Sequence, residues 1–176
     1  MNAAHLHIIL NHIPVVGIPI GLVVLVYGLL RRSEEVKRVA LLAFIVIAVI
    51  TVPTFLAGKA AEDMVEHLPG VDDDTIDVHK AAATIGLIST SILGLISAGA
   101  LASSLIVGRV ITPLLVLVMI AAIGVSAWLG RVANLGGKIR HPELNAGAAF
   151  DDDDHEEGDD DGGGKRRGRN RRGRGR

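Results

Sequence analysis

The chain has 176 residues, 49% of them hydrophobic and only 3% aromatic, with no cysteine and a formal net charge of −1. That length allows one ordinary domain, and the lack of cysteine excludes disulfides, zinc–thiolate sites, iron–sulfur clusters and covalently attached c-type haem. Residues 151–176 hold nine acidic and eight basic residues, which leaves ten of each sign in residues 1–150. The apolar part of the chain is therefore neutral.

Four apolar stretches follow one another, from about Ile8 to Leu30, Val39 to Ala57, Ala81 to Val107 and Val110 to Gly130, and none contains Asp, Glu, Lys or Arg. Each is close to the roughly 20 residues that cross a bilayer as a helix. They are apolar all round rather than on one face, unlike helices of a soluble core. The pattern predicts an all-α, four-helix transmembrane bundle over residues 1–144. The first stretch does not read as a cleaved leader, because it lacks a basic start and opens on His5, His7 and His12.

The connections differ in charge. Arg31 to Arg38 is a short hinge with four basic residues, whereas residues 58–80 hold two basic residues among seven acids. Lysine and arginine favour the cytoplasmic side. The hinge and the Gly108-Arg109 turn are therefore expected inside and both termini outside, in the cell membrane. Arg131, Lys138 and Arg140 follow the fourth span and count against this assignment. Ala82, Gly86, Thr90, Gly94, Ala98 and Ala102 recur every four residues in the third span, and Gly17 and Gly21 share that spacing in the first. Helices in lipid approach through small residues, so both series predict close packing, and a homo-oligomer is compatible with them. Pro14, Pro19 and Pro53 sit inside spans, and Gly136-Gly137 is expected to end the fourth helix.

Histidine is sorted. His5, His7, His12, His67, His79 and His141 all fall on the side of the termini, and His155 stands apart in the tail. An imidazole near lipid is costly unless paired or ligated. Three uses compete. His12 and His79, on different helices and near the membrane edge, suit the axial pair of a b-type haem, with Gly86 or Gly17 leaving room for the ring. His7 and His141 are the reserve ligands should the register differ by a turn. A divalent metal held by His12, His79, His67 and Glu62 is the second use, although no tight signature such as His-Glu-x-x-His is present. In the third, the histidines are interfacial hydrogen-bonding residues of a module that anchors a larger complex. Tyr27 and Trp128 fall where interfacial aromatics sit.

The segment from His7 through His12 to Pro14 resembles the opening of the four-span membrane proteins known as domain of unknown function 2231. Thr54 to Glu62 is similar to that family's small-residue end of span two, and Asn134-Leu-Gly136-Gly137 followed by His141 to its closing motif. The likeness covers roughly residues 5–144, departs from the family at Ile8, and carries over His7, His12, His79, Gly136, Gly137 and His141 by position. It implies a four-span bundle and, through relatives joined to redox domains, electron transfer.

Residues 145–176 run from an Asp/Glu-rich block to a Gly/Arg-rich end. Such a composition cannot bury a core and is expected to be disordered. The Gly-Arg tract resembles nucleic-acid-binding sequences, but on a membrane protein anionic lipid or the tail's own acidic block is the favoured partner. The expected function is a haem-binding electron carrier rather than a stand-alone enzyme. It would sit in the lipid bilayer and pass electrons to a quinone or a redox partner protein.

Overall fold

The computed structural model describes residues 2–65 and 73–140, so His67, His141 and the tail lie outside the described residues. Four helices account for almost all of them: α1 (Ala3–Leu30), α2 (Glu34–Val65), α3 (Asp73–Val107) and α4 (Thr112–Arg140), with no strand among the described residues. All four are long and apolar enough to cross a membrane. Each runs beyond its apolar stretch at a polar end. Glu34 and Glu35 open α2, and Asp73 and Asp74 open α3, where negative charge meets the positive end of the helix dipole. Asn2 caps α1 by accepting the His5 backbone N–H at 2.9 Å.

Each helix packs on its chain neighbours and α1 closes against α4, so α1 and α3, like α2 and α4, lie on the diagonals of a square. The core contains Ile18, Leu25, Phe44, Leu93, Val118 and Leu129. Large apolar side chains such as Val23, Leu95 and Ile106 point outward, as a surface solvated by lipid requires.

Glycine sets the close approaches. A Cβ on Gly21 would lie 2.7 Å from the Phe44 ring, one on Gly17 3.0 Å from Ile47, and one on Gly94 2.5 Å from the Ala48 Cβ. The every-fourth-residue series in α3 holds only at first. Ala82, Gly86, Thr90 and Gly94 are buried, but Ala98 is half-buried and Ala102 is exposed. A step of four residues overshoots a full turn by about 40°, so the series rotates off the core while Ser97, Ala100 and Ser104 take over.

The two short turns share one end of the bundle and are clasped together. Arg38 donates from Nε to Ser104 Oγ at 3.2 Å and from Nη2 to the carbonyls of Ser104 and Gly108, each at 2.9 Å. Glu34 accepts the Val110 N–H at 2.7 Å and pairs with Lys37 at 2.7 Å. Part of the basic hinge is thus committed to holding α2 against the α3–α4 turn.

Candidate functional site: an imidazole pair on the bundle diagonal

At the opposite end, the inward face of each helix decides which histidine enters. The buried residues of α1 are Pro14, Ile18, Gly21, Leu25 and Gly28. Seven residues make nearly two turns, so stepping back from Pro14 reaches His7. His7 Nδ1 donates to the Thr54 carbonyl of α2 at 2.9 Å, and its ring fills the notch at Gly58, where a Cβ would lie 2.8 Å away. With Nδ1 as donor to a carbonyl, neutral His7 keeps the Nε2 lone pair available.

His12 does not enter. It is exposed, and its Nδ1 bonds the Ile8 carbonyl of its own helix at 2.7 Å. His7 and His12 are five residues apart, about 140° round the helix, so only one of them can face the core. Depth alone pairs His12 with His79, but helical phase turns His12 outward and His7 inward. The signal was in the sequence, since His7, Pro14, Gly21 and Gly28 recur every seven residues.

His79 enters from α3, across the diagonal. Its ring meets Gly136 of α4, where a Cβ would lie 3.0 Å from Cε1. His79 Nδ1 is buried without a hydrogen-bond partner. Trp128 Nε1 donates to the Ala82 carbonyl at 2.9 Å, tying α4 to α3 one turn below His79, and Arg131 lies over the indole at 5.5 Å. Trp128 is thus a seam residue as well as an interfacial aromatic.

Other candidates fall elsewhere. Gly86 and Gly17 leave no slot for a flat ring, because Leu129 and Ile47 fill their notches. Gly136 and Gly137 do not end α4, which continues to Arg140. Gly136 packs on His79 inside the helix, while Gly137 faces open space. Glu62 is engaged by Lys80 across the α2–α3 seam at 2.5 Å. Among the described residues no three His, Cys, Asp or Glu side chains gather into a metal-binding group.

No known protein family, curated protein or solved structure matches the chain. The class is defined by the fold alone: a four-span, all-α transmembrane bundle, with two buried-facing histidines on diagonal helices at one end.

Proposed function

We propose that the protein is a membrane electron-transfer component in which His7 and His79 are the axial ligands of a b-type haem at the outer end of the bundle. The reading rests on the placement of two inward-turned imidazoles, on helices that lie on a diagonal, at the same end of the bundle. Axial ligands must approach a flat ring from opposite faces, and helices on a diagonal present side chains that way. The orphaned Nδ1 of His79 and the carbonyl-anchored ring of His7 are donor groups in need of, or prepared for, an acceptor. Ligating histidines commonly hold their second ring nitrogen on a carbonyl, which fixes orientation and raises basicity. Lys59 and Lys138 lie close in sequence to Gly58 and Gly136 and have the sign that suits carboxylates at a ring edge.

The number of ligands separates haem from a bare divalent ion. Zinc takes three or four protein ligands, whereas haem iron needs two beyond those of the porphyrin. Two inward-turned imidazoles, His7 and His79, stand at this end of the bundle, which favours haem over the metal site built on His12, His79, His67 and Glu62. Bound haem would supply one-electron carriage. The chain's own part is to hold two imidazoles, keep lipid and water from the ring faces, and leave an edge near the outer surface for a quinone or a partner protein.

The test is a haem titration of the purified full-length chain in detergent. A six-coordinate, low-spin spectrum at one haem per chain is expected. Failure to take up haem would leave the bundle as a non-redox anchoring module.

A further inference from the structure

Each of the two histidines rests on a glycine of the neighbouring helix. His7 on α1 bonds the backbone of Thr54 and rests on Gly58, one helical turn further along α2. His79 on α3 rests on Gly136 of α4, and its Nδ1 has no hydrogen-bond partner. Both rings present their Cε1–Nδ1 edge to the glycine.

The equivalence extends through the helices. Advancing α1 so that His7 falls on His79 carries Pro14, Ile18, Gly21, Leu25 and Gly28 onto Gly86, Thr90, Leu93, Ser97 and Ala100. All five are buried in α1 and all five of their counterparts are buried in α3. Advancing α2 so that Gly58 falls on Gly136 carries the buried Ala40, Phe44, Ile47 and Thr51 onto the buried Val118, Ala122, Val125 and Leu129, while the buried Leu41, Ala48, Thr54, Ala57 and Ala61 fall on half-buried positions of α4. Any two buried helices share a period, but here the histidine and the glycine fix the phase independently in each pair. Side-chain identity is not repeated. Gly21 against Phe44 in the first hairpin corresponds to Leu93 and Ala122 in the second, with large and small exchanged between the helices.

We infer that the bundle is two structural copies of one helix hairpin, and that the imidazole site lies on the internal two-fold axis relating them. Gly58 and Gly136 are then equivalent positioning residues for a flat, two-faced ligand bound between His7 and His79. Two hairpins that enter the membrane from the same side are related by an axis along the membrane normal, so the axis runs into the site. A ligand on the axis meets the same chemistry on either face, which a metalloporphyrin offers and accepts. The identity of the ligand rests on the function proposed above, while the repeat does not.

The experiment uses the full-length chain with nitrogen-15 in its histidines, with and without added haem b. Gly58→Ala should move the imidazole resonances of His7 and leave those of His79, and Gly136→Ala should do the converse. With haem, each variant should weaken binding by about 10- to 100-fold, the range typical of groups that orient metal ligands. Each should also shift the reduction potential in the same direction. Gly94→Ala, which meets Ala48 far from the site, is the packing control: it should lower thermal stability and move neither imidazole. A Gly136→Ala variant with unmoved His79 resonances, or haem binding that responds to one glycine alone, would overturn the inference. If the wild-type chain takes up no haem, the proposed function fails, and the nitrogen resonances still decide the repeat.

Discussion

Arg38 illustrates how far a residue's role depends on partners distant in sequence. In the linear chain it is one of four basic residues in a hinge and serves as a marker of membrane side. In the fold it makes three hydrogen bonds to Ser104 and Gly108. Hydrogen bonds to a charged group are worth more than neutral ones, so Arg38→Ala should destabilise the bundle by about 2 kcal/mol. Arg38→Lys should recover little of this, because an ammonium cannot reproduce the planar fork. Thermal unfolding in detergent checks both. His7 teaches a related lesson. Its residue type and its end of the bundle were legible in the sequence, and so was its seven-residue spacing to Pro14. The carbonyl of Thr54 and the notch at Gly58 were not, because they belong to a helix whose rotation only packing fixes. His12, chosen by depth, fails on phase.

At the scale of the element, the four helices and their order were legible because each apolar run is long and uncharged, and nothing else satisfies its backbone in lipid. Their ends were less legible. Gly136-Gly137 carries the signature of a helix stop, yet α4 continues, and Gly136 is where His79 fits. Small residues in these helices divide into those in contact and those in open space. Gly21→Ala should lower the thermal midpoint, since the new Cβ would meet the Phe44 ring at 2.7 Å. Gly99→Ala meets nothing within 4 Å and should be neutral or stabilising, by up to about 1 kcal/mol from helix propensity. The reverse order for this pair would place the helix contacts on different faces.

For the whole molecule, the charge contrast between the connections predicts an orientation. A reporter fused at Gly108 should be cytoplasmic and one fused at the N-terminus external, and the opposite result would place the imidazole pair on the inner face. A chain ending at Phe150 should still insert and keep its histidine resonances, because the deleted segment is charged and lacks core-forming residue types; loss of the bundle would contradict this. The internal repeat was hidden from the sequence because equivalent positions exchange large and small residues, so only the burial phase records it. On the proposed function, His7 and His79, and not His12, hold a haem between diagonal helices. The most direct test is the reduced-minus-oxidised spectrum of the purified full-length chain and its alanine variants after haem addition. His7→Ala and His79→Ala should each abolish the low-spin signal, and His12→Ala should retain it. A signal that survives loss of either His7 or His79, or that disappears with His12, would contradict the account.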